Sequence, residues 1–106
     1  MRIDLLHKSV TRAGARVDLS PKEMGILEAL FLARGEPVSR EKLLTSVWHY
    51  DYAPDSRTVD NYVMLLRRKL EANSLEPVLV LTVRGAGYRL NIDVLRPIPS
   101  APGSAV

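Results

Sequence analysis

Two hydrophobic periods alternate along this chain, and each change of period marks an element. Ile3 and Leu5, then Val10, then Ala15, Val17 and Leu19 occupy alternating positions, broken by His7-Lys8 and Ala13-Gly14. A period of two with short polar or glycine breaks predicts two or three short antiparallel strands, turning at Ala13-Gly14. So small a sheet needs something to pack on. From Ser20 the period lengthens. Ser20-Pro21-Lys22-Glu23 is a helix start: a capping serine, a proline at the first helical position and a glutamate completing the box. Met24, Leu27, Leu30 and Phe31 are the expected buried stripe, Gly35 the stop, and Pro37 the bar to resumption. A second helix opens at Ser39, with Glu41 near its N-terminus and Leu43, Leu44, Val47 and Trp48 on its apolar side. Residues 49–55 read as an acidic connector carrying Tyr50 and Tyr52.

The strongest signal follows. Val59, Val63, Leu66 and Leu70 are spaced i, i+4, i+7, i+11, one stripe of a helix over about 56–72. The opposite face carries Arg57, Asn61, Met64, Leu65 and Arg68, with Thr58, Tyr62, Arg67 and Lys69 on the flanks. That outer face is unusual for a solvated one. Arg suits bidentate contacts with guanine, Asn with adenine, and an apolar side chain suits the thymine methyl. After a turn at 73–77, a β-rich run reaches Thr82-Val83-Arg84. Gly85-Ala86-Gly87 supplies the bend, needing only turn geometry to explain it, and Tyr88 to Ile92 returns. From Arg96 onward the chain is rich in Pro, Ser, Ala and Gly and reads as a disordered tail, leaving one domain over residues 1–95.

Charge sharpens this picture. The net charge is +3, with 15 Lys+Arg against 12 Asp+Glu in 106 residues. Between positions 57 and 89 the basic residues are Arg57, Arg67, Arg68, Lys69, Arg84 and Arg89, against Asp60, Glu71 and Glu76. The whole surplus therefore falls on the helix and hairpin, as a nucleic-acid footprint would. With no cysteine, disulfides and thiolate chemistry are excluded. No apolar run suits a membrane span and no signal-peptide core follows Met1-Arg2, so cytoplasm is the expected compartment. His7 and His49 lie in different elements without ligand spacing, and no phosphate loop or nucleophile motif occurs. Neither an enzyme nor a cofactor is expected.

Four blocks in order resemble the DNA-binding effector domain of the OmpR/PhoB family of two-component response regulators. They are Leu19-Ser20-Pro21-Lys22-Glu23-Met24; residues 35–44 with Val47-Trp48; Ser56-Arg57-Thr58-Val59-Asp60 with Leu66-Arg67-Arg68-Lys69-Leu70; and Thr82-Val83-Arg84-Gly85-Ala86-Gly87-Tyr88-Arg89. The resemblance implies an α+β winged helix-turn-helix: small N-terminal sheet, three helices, C-terminal hairpin wing. It implies sequence-specific double-stranded DNA binding that regulates transcription in phosphorelay signalling. Asn61, Met64, Leu65 and Arg68 would face base edges in the major groove. Trp48, Arg57, Thr58, Tyr62, Arg67 and Thr82 would touch or frame phosphates. Arg84 and Gly85 would bring the wing to the minor groove. Asp60 and Arg89 stay open between an ion pair and a DNA role, and Tyr88 is expected to pack on the core. The loop holding Tyr50, Asp51, Tyr52 and Asp55 would meet RNA polymerase. Two copies would sit on tandem half-sites, each isolated domain being a monomer. About five neutralised phosphates give an expected salt slope of −4 to −5. Many family members are more cationic at the positions of Met64 and Leu65, so this chain should lean toward thymine methyls. A protein-docking module using those two residues as anchors is the alternative. The family also implies a receiver domain and sensor kinase; an excised effector domain and a stand-alone form both remain open.

Overall fold

A computed structural model describes residues 2–48 and 55–95. Strands β1 (Arg2–Asp4), β2 (Ser9–Arg12) and β3 (Ala15–Val17) form an antiparallel sheet in that order. Ala13 and Gly14 have φ of 52° and 81°, the pair of positive values that a type I′ hairpin requires. Helices α1 (Pro21–Leu32), α2 (Arg40–Trp48) and α3 (Ser56–Leu70) follow, then the hairpin β4 (Val80–Val83) and β5 (Gly87–Leu90) and a 3-10 turn, Ile92–Leu95. The winged helix-turn-helix order expected from the sequence is present. The expected connector residues Tyr50, Asp51 and Tyr52 and the tail 96–106 lie outside the described residues.

Helix α1 begins where its chemistry dictates. Ser20 Oγ accepts from the Glu23 N–H at 3.2 Å, and Glu23 Oε1 accepts from the Ser20 N–H at 2.8 Å. Its buried arc is wider than the expected stripe: Met24, Ile26, Leu27 and Leu30 are all buried, while Phe31 is only half-buried. The reason is that α2, α3 and β5 all pack on this helix, so more than one face is covered. It stops at Leu32, earlier than Gly35, because Arg34 and Gly35 both adopt positive φ (54° and 91°).

The α3 stripe is as the period requires: Val59, Val63, Leu66 and Leu70 are each no more than 2% exposed. They meet Leu27 and Leu30 of α1, Leu43 and Val47 of α2, and Val80, Tyr88 and Leu90 of the hairpin in one core cluster. Helix α3 ends at Leu70, short of the expected 72, because Glu71 turns to extended backbone and buries its side chain. That carboxylate accepts the N–H groups of Val78, Leu79 and Val80 at 2.8 to 3.1 Å. Nothing in the local pattern singles out Glu71 for this part.

A second buried carboxylate joins α1 to α3. Glu23 Oε1 lies 2.7 Å from Lys69 Nζ, with the glutamate side chain 3% exposed. Burial pushes this carboxyl up, but the bonds from Lys69 and from the Ser20 N–H outweigh it and hold it below its usual 4.5. The charged form is therefore the one the fold favours. Stability from this pair is present above the unfolded value and lost as pH falls through the lower folded one. Urea unfolding should give a flat stability from pH 7 to about 5 and a decline below about 4.5. Glu23→Gln should make that acid decline shallower; an identical decline in the variant would show that Glu23 is not its source.

Candidate nucleic-acid interface

The candidate interface is the side of α3 turned away from the core. Asp55 caps this helix, its Oδ1 accepting the Arg57 N–H at 3.0 Å. The buried stripe leaves Arg57, Asn61, Met64, Leu65 and Arg68 outward, Met64 53% and Leu65 38% exposed. Among the described residues, no side-chain hydrogen bond or ion pair engages Arg57, Asn61 or Arg68. Two large apolar side chains therefore lie between polar groups of the kind that read base edges.

The flanks of α3 are used differently. Tyr62 is half-buried and packs edge-on against Trp48, ring centroids 5.3 Å apart at 72°. Trp48 is itself buried, with Lys22 Nζ 5.3 Å from its ring centroid, so it forms the wall beneath the flank. Thr58 is half-buried in the first turn. Lys69 is spent on Glu23 and on the Asp18 carbonyl at 3.0 Å. Arg67 is spent on β4: Nε and Nη2 both donate to the Val80 carbonyl (3.0 and 2.9 Å), and Nη2 also donates to Thr82 Oγ1 at 2.9 Å. Arg57, Arg68 and, on the hairpin, Arg84 are exposed and Arg89 is half-buried, and none of these four cations has a side-chain partner among the described residues.

The hairpin is seated along both edges. On the β4 edge, Val80 gives its N–H to Glu71 and accepts from Arg67 at its carbonyl, two residues one turn apart at the end of α3. On the β5 edge, Tyr88 and Val38 exchange N–H and C=O at 2.7 and 3.0 Å as an isolated bridge. At the tip the Ala86 N–H donates to the Val83 carbonyl at 2.9 Å across Gly85, whose φ of 78° is what a type II turn needs there. Arg84 stands exposed beside it. Gly87 is another matter. Turn geometry alone does not account for it: a Cβ there would overlap the Val38 carbonyl oxygen and lie 2.8 Å from Ser39 Cα. The glycine exists so that the chain before α2 can come against β5.

Asp60 joins the three parts. Its Oδ1 accepts from Arg40 Nε of α2 at 2.7 Å and from the Tyr88 hydroxyl of β5 at 2.6 Å. Its ion pair is thus with Arg40, and Tyr88 packs on the core, 5% exposed. Burial pushes the Asp60 carboxyl up, yet the bonds from Tyr88 and Arg40 leave it below its ordinary value. Burial and the neighbouring carboxylate push the Tyr88 hydroxyl up, so it stays protonated and donating. The half-exposed Arg40–Asp60 pair adds little stability by itself; what it supplies is a fixed angle between α2 and α3.

His7 is exposed and meets Asp4 at 2.8 Å, and His49 lies outside the described residues. Among the described residues no three His, Cys, Asp or Glu gather as a metal site, and no helix is long and apolar enough to cross a membrane.

Comparison with known proteins bears on the family and the fold. The family described as "Transcriptional regulatory protein, C terminal" matches residues 14–90. The transcriptional regulatory protein AfsQ1 of Streptomyces coelicolor is 44% identical over 89 residues, 84% of this chain and 40% of that protein. The chain thus spans about two fifths of that relative's length. Among solved structures, the response regulator DrrB of Thermotoga maritima, an OmpR/PhoB homologue, superposes with a TM-score of 0.77 at 33% identity, covering 83% of this chain and 40% of that one. The DNA-binding domain of Klebsiella pneumoniae RstA, solved in complex with the RstA box, gives a TM-score of 0.71 at 32% identity, covering 83% of this chain and 87% of that one.

Proposed function

The chain belongs to the OmpR/PhoB family of response regulators, as its C-terminal DNA-binding, transcription-regulating domain, and on that premise we propose that α3 enters the major groove while the wing reaches the minor groove. One observation supports this reading: the outer face of α3 holds Arg57, Asn61 and Arg68 without side-chain partners among the described residues, beside a hairpin seated on both edges. Asn61, Met64, Leu65 and Arg68 read bases; Met64 and Leu65, exposed and uncharged, take thymine methyls. Arg57, Thr58 and Tyr62 line the phosphate flank over Trp48. Arg84 at the Gly85 bend enters the minor groove, where a cation is favoured by a narrow A·T tract. Pairing on tandem half-sites, a receiver domain ahead of this segment, and polymerase contact through Tyr50, Asp51, Tyr52 and Asp55 belong to the same proposal.

Two measurements test it. Phosphate neutralisation sets the salt dependence, and with Arg67 and Lys69 bonded internally about three outward guanidiniums remain. The slope of log K against log salt should then be near −3, shallower than the −4 to −5 expected from sequence. A flat response would overturn DNA binding. Arg68→Ala should cost roughly 1–3 kcal/mol on a duplex selected from a random pool, and relax preference at one base pair. An equal loss on selected and random duplexes would show that Arg68 does not read a base.

A further inference from the structure

We infer that Arg67 is a positioning residue of the interface and not one of its phosphate contacts: it presents the Thr82 hydroxyl, hydrogen outward, to a DNA phosphate in the notch between α3 and the wing. This rests on the DNA-binding reading above. Thr82 pairs with Tyr88 across the hairpin, and Val80 with Leu90, so the four share one face of it. Val80, Tyr88 and Leu90 are buried, whereas Thr82 is exposed. The row therefore emerges from the core at Thr82, close beside α3, whose Arg67 reaches it.

A hydroxyl has one hydrogen and two lone pairs. Arg67 Nη2 takes a lone pair of Thr82 Oγ1 at 2.9 Å. The positive charge on that side turns the O–H away, toward solvent, where only an acceptor can meet it. A phosphate oxygen is such an acceptor. The guanidinium is held in turn. Nε and Nη2 share the Val80 carbonyl, and its carbon lies 5.6 Å from the Tyr88 ring centroid, with that of Arg40 at 5.3 Å. The planar guanidinium fixes its donors in one rigid fork across Val80 and Thr82, whereas a lysine ammonium is a compact group on a flexible stem and sets no such geometry.

The test is a double-mutant cycle on a mixed-sequence duplex of roughly 20 base pairs, about two helical turns, read by anisotropy over a range of salt. Arg67→Lys and Thr82→Val should each weaken binding about fivefold, and the double variant should be no weaker than Arg67→Lys. The salt slope should stay that of the unmodified chain, since no phosphate charge is given up. Arg67→Lys binding as tightly as the unmodified chain would overturn the inference, because a phosphate contact tolerates a lysine. So would multiplicative losses in the double variant, or Thr82→Val, a surface change that leaves the core alone, without effect. An unmodified chain that fails to bind in low salt would overturn the DNA reading itself, which separates the two failures.

Discussion

Gly87→Ala is expected to cost about 4 kcal/mol of stability, and Gly85→Ala, two residues earlier in the same bend, about 1 kcal/mol. Both glycines have positive φ, 129° and 78°. Backbone strain is therefore common to both and worth about 1–2 kcal/mol for an alanine. They differ in surroundings. A Cβ at Gly85 meets nothing within 4 Å, whereas one at Gly87 runs into the backbone of Val38 and Ser39. Backbone cannot rotate aside as a side chain can. The segment would have to retreat, breaking the two bonds between Val38 and Tyr88 and shifting the Tyr88 hydroxyl from Asp60. A chain of this size has only about 5–15 kcal/mol in total, so the loss is a large share. Urea unfolding with an unchanged m-value separates the pair. If the two variants unfold at the same midpoint, Val38 is not seated on β5. DNA binding should follow stability for Gly87→Ala, because the seat also fixes the wing against α2.

The same contrast shows what can be read from sequence. The α3 stripe and the capping box are legible because both are local: a 3.6 period over fifteen residues and a four-residue motif. The outward face of α3 follows from that period by elimination. Gly87 looks like an ordinary turn glycine in sequence because its constraint comes from Val38, a single bridging residue between helices that has no periodicity of its own. Ile26 escapes the pattern because a single stripe is expected on a helix that is in fact covered on several sides. Arg67 and Arg68 are chemically identical neighbours, about 100° apart on the helix. The period puts Arg68 outward and Arg67 on a flank, but does not say that the flank abuts β4. That depends on the hairpin's closeness to α3, which spacing alone does not fix. The Asp60–Arg40–Tyr88 junction joins residues 20 and 28 positions apart, beyond the reach of any local rule.

Glu71→Ala should be the other large loss, about 3–5 kcal/mol, from a residue that the sequence presents only as a negative charge. In the fold it is 4% exposed and accepts from three consecutive backbone N–H groups, those of Val78, Leu79 and Val80. Alanine leaves the buried N–H groups of Leu79 and Val80 without acceptors, at a cost of about 1–3 kcal/mol for each, while that of Val78, a 57% exposed residue, can turn to water. Glu71→Gln tests the cause. It keeps the volume and one acceptor oxygen, but its NH2 would face N–H donors that need an acceptor. If the carboxylate matters as an acceptor cluster, Gln should recover less than half of the loss. If it matters only as packing, Gln should recover nearly all of it in urea unfolding, and that result would refute the acceptor role. The consequence for the interface is specific. Glu71 and Arg67 hold the N–H and C=O of the same residue, Val80, so freeing one end leaves the other as a hinge. Under conditions where the Glu71→Gln chain remains folded, the contribution of Arg84 to DNA affinity, taken as the effect of Arg84→Ala, should shrink. That of Arg68, on α3 itself, should not.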